Sequence, residues 1–304
     1  MEKAEKSSIL HMLDPMPHVS PFDINMAVDA GFDKVFPYSH VLPEQVQGLV
    51  QDAIFSRGPS GVKRTGIFIG GRDIGVALNM LETAKAAMVP PFEVSVLADP
   101  SGAFTTAAAL VACVEKQLKV HHGRDLPGAR AVVFGGTGPV GLATAVIASL
   151  AGANVTIVDP FNIDVALEKA AEYNARCGST ITGTYASSDA DKARLLAQAE
   201  LIFCTAKAGV QVLSASVLND ATQLKVAGDV NAVPPLGIEG IKRNHNGEPM
   251  VHAGNAPGAV GIGSLAIGDI KYKLQNALLA ALLAGNEPRY FDFRDAFEEA
   301  RKLV

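Results

Sequence analysis

The stretch that decides the fold is ARAVVFGGTGPVGLATAVIASLAGANVTIVDPFN, residues 129–162. A β-branched run leads into a glycine-rich turn, an alanine-rich helical segment follows, and a second β-branched run ends at Asp159. This order of strand, turn, helix and strand is typical of a βαβ unit with parallel strands. We therefore predict an α/β protein with a mainly parallel sheet.

The glycines of this turn have the spacing G-x-G-x-x-G, which is weak evidence alone but is flanked here by a credible strand and a credible helix. The first glycine permits a tight turn, the second lets a pyrophosphate approach the backbone, and the third allows close helix–strand packing. The helix N-terminus adds free N–H groups and the positive end of the helix dipole. A purely structural glycine turn is the alternative. The pattern predicts a Rossmann-type dinucleotide site formed by Gly136, Thr137, Gly138, Pro139, Val140 and Gly141.

Asp159 stands at the end of the second strand, 23 positions after Gly136. A carboxylate at this place accepts hydrogen bonds from the adenosine ribose hydroxyls and repels a 2'-phosphate. The sequence thus favours NAD over NADP, with NADP use possible. The alternative is an aspartate that only caps the loop before Pro160.

Short β-branched runs also alternate with alanine-rich stretches outside this region, as at 65–71 and 92–99. The polar segment HHGRDLPGAR, 121–130, is punctuated by Gly and Pro and is interpreted as the crossing between two domains. A long helix is predicted from 264 to 285, returning to the first domain.

The domain prediction has two parts. An N-terminal α/β substrate domain covers 1–125 and is completed by 262–304, and a Rossmann-type NAD(P)-binding domain covers 126–261.

Composition excludes several classes of protein. The 304 residues carry a net charge of -5 with no basic block, which excludes the usual electrostatic pattern of a nucleic-acid binder. Cys113, Cys177 and Cys204 lie far apart, without disulfide or zinc spacing. The apolar run at 277–285 is shorter than the ~20 residues that span a bilayer. We expect a cytoplasmic protein with no bound metal and no nucleic-acid or membrane partner.

The sequence offers no obvious catalytic base. The seven histidines are scattered, and there is neither a Y-x-x-x-K nor an H-E-x-x-H pattern. Oxidation of an alcohol requires a base for the hydroxyl proton. The pattern therefore leaves room for a hydride transfer that removes no proton.

Five ordered segments carry a resemblance to a known family. They are SILHMLDPMPHVSPFDINMAVDAGFD (8–33), QDAIFSRGPSGVKRTGIFIGG (51–71), VPPFEVSVLADPSGAFTTAAA (89–109), DVNAVPPLGIEGI (229–241) and GAVGIGSLAIGDIKYKL (258–274). Over nearly its whole length the chain resembles the NAD(P)-dependent methylene-tetrahydromethanopterin dehydrogenases of methylotrophic bacteria. It is more similar to the branch that accepts NAD as well as NADP, because the strictly NADP-dependent branch has a basic residue where this chain has Asp159 and Pro160.

The resemblance implies an oxidoreductase of one-carbon metabolism that moves a hydride from methylene-tetrahydromethanopterin to NAD(P)+. The methylene carbon lies between two nitrogens whose lone pairs stabilise the methenyl cation, so no base is needed. The protein chiefly aligns the reactants and excludes water. It also implies a homo-oligomer with a pterin one-carbon carrier as its small-molecule partner.

The resemblance assigns residues as well. Lys271 matches the active-site lysine and is expected to donate to the pterin carbonyl, whereas Lys273 departs from the closer branch and receives no role. A solvated helix lysine is the alternative for Lys271. Asp23 and Asp99 are candidates for binding the amino and ring N–H donors of a pterin; Asp99 is equally suited to capping a helix.

Further candidates surround these positions. Thr105 and Thr106 either line the substrate site or are first-turn helix residues. Two loops after strands are expected around the nicotinamide and contribute Thr205, Ala206, Lys207 and Asn231.

Two other functions stay open. A methylene-tetrahydrofolate dehydrogenase would use the same chemistry on a related pterin. A non-catalytic NAD(H)-binding redox sensor would bind the dinucleotide without turnover.

Overall fold

The computed structural model describes residues 6–285 and 287–304. The elements up to residue 122 are β1 (Ile9–Leu13), α1 (Pro21–Asp29), β2 (Lys34–Tyr38), α2 (Val46–Phe55), α3 (Pro59–Val62), β3 (Thr65–Ile69), α4 (Ile74–Ala86), β4 (Ser95–Ala98) and α5 (Ala103–His122). The later elements are β5 (Arg130–Phe134), α6 (Pro139–Leu150), β6 (Asn154–Asp159), α7 (Ile163–Cys177), β7 (Thr182–Tyr185), α8 (Asp189–Leu196), β8 (Leu201–Cys204), α9 (Ala215–Leu218), β9 (Val226–Asp229), β10 (Asn246–Pro249), β11 (Val260–Ile262), α10 (Ser264–Ala281), β12 (Tyr290–Phe291) and α11 (Phe293–Leu303).

The described residues form two compact units. The first comprises those of Met1–Thr105 and Tyr272–Glu299, and the second comprises Thr106–Lys271 and Ala300–Val304. The sequence-based boundary at 125/126 lies in the segment between α5 and β5, and the boundary at 261/262 lies within β11. The compact units divide instead inside α5 and α10.

The first unit contains a five-stranded sheet in the order β12-β4-β3-β1-β2, with every neighbouring pair parallel. Counted along the chain, this is the doubly wound order 2-1-3-4-5, and the direction of winding reverses between β1 and β3. All five residues of β3 are buried, as expected for a central strand covered on both faces. Ligands of such sheets bind beyond the carboxyl ends of the strands at the reversal.

The second unit contains a seven-stranded sheet in the order β10-β11-β9-β8-β5-β6-β7. Six of these strands are parallel in the Rossmann order 3-2-1-4-5-6, and β10 pairs antiparallel at one edge. The winding reverses between β5 and β8. The predicted fold class, α/β with a Rossmann-type domain and a C-terminal helix that returns to the first, is confirmed.

Helix packing explains why most of α5 belongs to the second unit. A Cβ on Gly228 of β9 would lie 2.5 Å from Leu110 Cδ1, so the Leu110 side chain of α5 packs directly against the backbone of this strand. Gln117 Nε2 also donates to the Asn246 carbonyl at 3.1 Å. Across the described ranges, no helix is both long enough and apolar enough to cross a membrane.

A buried carboxylate fixes one end of the second sheet. Glu200, only 4% exposed, accepts from the Arg130 amide at 3.2 Å and pairs with the Arg124 guanidinium. Lys225 Nζ lies 3.4 Å away. Burial pushes the pKa of Glu200 upward, but the Arg130 amide and the two arginines outweigh it and hold the pKa below its ordinary value.

We expect Glu200→Gln to lower the free energy of unfolding by about 2 kcal/mol at pH 7, because a buried partner of several cations loses its charge. Since the folded pKa is depressed, this stabilisation exists above the ordinary pKa of 4.5 and disappears as the pH falls below it. The difference from wild type in urea unfolding should therefore stay constant from pH 7 down to the ordinary pKa of 4.5 and shrink as the pH is lowered further.

Glu172→Gln is the matched control, because Glu172 forms an exposed pair with Lys169 on α7. Equal destabilisation by the two substitutions would contradict the role of Glu200.

Candidate active site

The glycine turn after β5 is held by two contacts that only glycine permits. Gly135 has a φ of +73°, and a Cβ there would lie 2.7 Å from the Ala206 amide nitrogen. At Gly141, in the first turn of α6, a Cβ would lie 2.2 Å from the Gly135 carbonyl oxygen. The turn, the helix and the loop after β8 therefore meet within backbone contact distance.

Gly138 is different, because its missing side chain leaves open space. It is the N-cap of α6 without a side-chain cap, Pro139 follows it, and a Cβ would meet the Gly135 carbonyl at an ordinary 3.4 Å. The amides of the first helical turn have no intrahelical acceptors and carry the positive end of the dipole. This cradle at the β5/β8 reversal fits a dinucleotide pyrophosphate.

Two side chains fix the neighbouring loops. Thr205 Oγ1 donates to the Phe134 carbonyl at 2.9 Å, which ties the loop after β8 to the glycine turn. Asn231 is buried and accepts from the amides of Gly209 and Val233, at 3.2 and 3.0 Å. Asn231 therefore joins the two loops that the sequence places around the nicotinamide.

Asp159 ends β6 as predicted, and its carboxylate is engaged by its own loop. Oδ1 accepts from the amides of Phe161 and Asn162 at 2.8 and 2.9 Å, and Oδ2 accepts from the Thr137 hydroxyl at 2.8 Å. Burial raises the pKa of Asp159, but these hydrogen bonds outweigh it and leave the pKa below its ordinary value. Asp159 caps the loop and at the same time presents a carboxylate to the adjoining cavity.

A cavity of about 440 Å³ lies at the carboxyl ends of the strands in the second unit. Six predicted residues line it, namely Thr137, Gly138, Asp159, Thr205, Ala206 and Lys207. The lining does not include the other predicted residues, Gly136, Pro139, Val140, Gly141 and Asn231.

The cavity also contains residues that the sequence analysis missed. Phe161 is 88% exposed and lies two positions after Asp159, so its position gave a signal for an aromatic surface beside the predicted ribose site. Lys192 donates from α8 to the Val212 carbonyl at 2.9 Å and reaches the cavity only through the fold. Gly135, with its left-handed backbone, lies just before the G-x-G-x-x-G pattern.

In the first unit, Asp99 is fully buried and bound to the start of α5. Oδ1 accepts from the amides of Phe104 and Thr105 at 2.9 and 3.1 Å, and Oδ2 accepts from the Thr105 hydroxyl at 2.6 Å. These contacts are those of a helix cap. Thr106, one residue later, is partly exposed.

Asp23 lies in the first turn of α1 and is buried. Its Oδ1 accepts from Gln275 Nε2 at 2.6 Å. Lys271 is half-buried and lies one helical turn before Gln275 on α10, a spacing that puts both on one face of the helix. Lys273 is exposed.

Known proteins match the chain over most of its length. A protein named NAD(P)-dependent methylenetetrahydromethanopterin dehydrogenase, from Methylorubrum extorquens, is 44% identical over 98% of this chain and 99% of its own length. The chain belongs to this dehydrogenase family. The family profile described as "Methylene-tetrahydromethanopterin dehydrogenase, N-terminal" matches residues 21–101 of this dehydrogenase chain.

Another relative of this dehydrogenase family member, the bifunctional protein MdtA of the same organism, is 32% identical over 97% of this chain and 99% of its own length. Among solved structures, shikimate 5-dehydrogenase from Listeria monocytogenes has a TM-score of 0.54 at 13% identity and covers 98% of both chains. An NAD-dependent malic enzyme from Thermotoga maritima has a TM-score of 0.55 at 15% identity, covering 97% of this chain and 84% of its own. At these identities the structural similarity shows the fold alone.

The two glycines of the cradle should respond differently to alanine. Gly141→Ala introduces a 2.2 Å clash with the Gly135 carbonyl and should lower Tm in the absence of any dinucleotide. Gly138→Ala makes only an ordinary contact and should leave Tm near that of wild type, while weakening NADH binding at least tenfold because the methyl group occupies the open cradle. Thermal unfolding and NADH fluorescence titration measure the two effects, and an unchanged NADH affinity for Gly138→Ala would remove the cradle from the binding site.

Proposed function

We propose that this dehydrogenase family member oxidises methylene-tetrahydromethanopterin to methenyl-tetrahydromethanopterin with NAD(P)+, in one-carbon metabolism. The observation that carries the proposal is the 44% identity to a dehydrogenase of that name over 98% of this chain. The dinucleotide cradle at Gly138 supports it, because the reaction needs a hydride acceptor. When bound, the nicotinamide supplies that acceptor.

The chemistry makes few demands on side chains. Loss of hydride from the methylene carbon leaves a cation that the two adjacent nitrogens of the substrate stabilise, so no group of the protein has to remove a proton. The protein contributes alignment and the exclusion of water. This agrees with the lack of a Y-x-x-x-K or metal-type motif in the sequence.

We assign the orienting contact to Lys271, whose ammonium donates to the pterin carbonyl. Asp23, Asp99, Thr105 and Thr106 remain the proposed substrate-domain set. Within it, Asp99 and Thr105 act through the helix cap that they form together, since their polar atoms bond to each other. Asp23 is positioned by Gln275.

On the dinucleotide side, the proposed contacts are the Gly136–Gly141 turn for the pyrophosphate and Asp159 for the adenosine ribose. Lys207 is exposed on the cavity and adds positive charge there. Thr205, Ala206 and Asn231 shape the loops around the nicotinamide. Location in the cytoplasm and assembly as a homo-oligomer stay predictions.

One absorbance assay tests the proposal directly. Purified protein is mixed with methylene-tetrahydromethanopterin or methylene-tetrahydrofolate, each with NAD+ or NADP+, and formation of the methenyl product and of NAD(P)H is recorded. Higher kcat/KM with the methanopterin carrier supports the proposal, and higher kcat/KM with the folate carrier favours the folate enzyme. NADH binding without turnover on either carrier would favour a redox sensor and overturn the proposal.

Cofactor preference should depend on the charge of Asp159. We expect the wild-type enzyme to have a higher kcat/KM with NAD+ than with NADP+. Asp159→Asn should lower the ratio of the two kcat/KM values about tenfold, because repulsion of the 2'-phosphate is removed. Asparagine keeps an oxygen for the Phe161 and Asn162 amides, so the loop is retained. A ratio that does not change would mean that Asp159 only caps the loop.

Lys271 should matter for turnover and not for dinucleotide binding. Lys271→Ala is expected to lower kcat about 100-fold, the effect of losing one placed donor in a dry site, with NADH affinity unchanged. Lys273→Ala, on the same helix, is the control and should retain wild-type kcat. The wild-type pH profile of kcat should also lack a steep limb near neutrality, since no base is required. Full activity of Lys271→Ala would remove this lysine from the active site.

A further inference from the structure

Asp14 follows β1 directly, at the reversal of strand order in the first sheet. The reversal lies between β1 and β3, where doubly wound sheets bind ligands beyond the carboxyl ends of their strands. Asp14 is only 5% exposed. It is therefore an almost buried carboxyl group at the place where the fold itself predicts a ligand.

The two oxygens of this carboxyl group are used unequally. Oδ1 accepts from the Met16 amide at 2.7 Å. Oδ2 has no hydrogen-bond donor among the residues that the structure describes. Oδ2 is not among the fully enclosed side-chain atoms that lack a hydrogen-bond partner, so it can be reached from outside the chain. Polar atoms of buried residues nearly always find a partner, and a ligand can supply one here.

The loop after β3 is shaped around the same oxygen. A Cβ on Gly70 would lie 2.3 Å from Asp14 Oδ2, so the carboxylate packs directly against the backbone of this glycine. The next residue, Gly71, has a φ of +104°, and its carbonyl accepts from Ser101 Oγ at 2.8 Å. The loops after β1, β3 and β4 are consequently fixed relative to one another around Oδ2.

Other buried carboxylates of this unit have nearer partners. Both oxygens of Asp99 accept from Thr105 or Phe104, and Asp23 accepts from Gln275. Asp14 differs from Asp99 because the second oxygen remains available. Its requirement matches the donor pair of a pterin, in which an amino group stands beside a ring N–H.

We propose that Asp14, rather than Asp23 or Asp99, binds the pterin ring of the substrate, accepting from the 2-amino group and the adjacent ring N–H. This rests on the proposed function, since it names the group that recognises the substrate of that reaction. Oδ2 takes one donor, and Oδ1 has a second lone pair beside the one used by the Met16 amide. Asp14 is a substrate-binding residue that holds the ring carrying the methylene carbon.

The main variant is Asp14→Asn, which preserves size and an oxygen for the Met16 amide. The KM for the methylene carrier should rise at least tenfold. Tm should stay near wild type because the Met16 contact is preserved, and NADH affinity should stay near wild type because the dinucleotide cradle lies in the second unit. Gly70→Ala, which places a methyl group against Oδ2, should raise KM in the same direction. Asp29→Asn, an exposed carboxylate at the end of α1, is the matched control and should change nothing.

A second measurement separates recognition from a structural role. Free 6-methylpterin and its analogue without the 2-amino group are compared as ligands by their effect on Tm and by inhibition of turnover. Wild type should bind the amino compound at least tenfold more tightly, and Asp14→Asn should lose this preference, which a merely structural defect would leave intact. Retention of the preference and of wild-type KM by Asp14→Asn would overturn the proposal.

The result can be told apart from failure of the proposed function. If the wild-type protein turns over neither carrier but its preference for the amino pterin depends on Asp14, the proposed reaction fails and the pterin site stands. If the wild-type protein binds neither pterin compound, the Asp14 site is overturned as well.

Discussion

The contact between the Gly135 carbonyl and the first turn of α6 at Gly141 is the constraint on which the second unit depends. It brings a strand end, a helix start and the loop carrying Thr205 to one point, since a Cβ on Gly141 would also lie 2.8 Å from Thr205 Oγ1. No Cβ fits at Gly141, so the start of the helix packs directly against the Gly135 carbonyl and the Thr205 hydroxyl. The positive end of α6 is thereby held at the carboxyl ends of β5 and β8, where an anionic group is best stabilised.

Buried aspartates recur at the carboxyl ends of parallel strands in both units. Asp14, Asp99, Asp159 and Asp229 follow or end β1, β4, β6 and β9. Asp14, Asp159 and Asp229 accept from amides of the loop that comes next, and Asp99 accepts from amides in the first turn of α5. The shared reason is local: a chain that leaves a strand exposes unpaired amides, and a short carboxylate satisfies them. Their pKa values nevertheless diverge. At Asp229 burial dominates and raises the pKa, whereas at Asp159 the hydrogen bonds dominate and lower it.

These aspartates also show which features of the structure can be predicted from the sequence and which cannot. The Rossmann unit and the end of β6 at Asp159 were predictable, because glycine spacing, strand propensity and helix patterning are local and agree with one another. The hydrogen-bond partners of each carboxylate could not be predicted. Asp14 and Asp99 both precede proline after an apolar run, and nothing in those letters reveals that α5 satisfies one while Gly70 leaves an oxygen of the other open.

The unit boundaries escaped prediction for a similar reason. Polar, Gly- and Pro-containing segments mark where a chain leaves a helix, but the packing partner of that helix is decided by distant residues such as Gly228. Lys192 is another case, since only the fold brings α8 to the cavity that holds Asp159. The position of Phe161 near the cavity could be predicted from its place after Asp159, although its high solvent exposure could not.

The late position of β12 has a consequence for how the chain is made. Tyr290 pairs with Val96, and all strands of the second sheet, up to β11 at Val260–Ile262, are synthesised between them. On the ribosome the second sheet therefore has its full set of strands while the first still lacks its edge beside β4. Domains usually fold in order from the N-terminus, but here the sheet of the second unit can be completed before the sheet of the first unit. Nascent chains halted between residues 262 and 290 would expose β4 as an unpaired edge, the kind of surface that pairs with a strand of another chain.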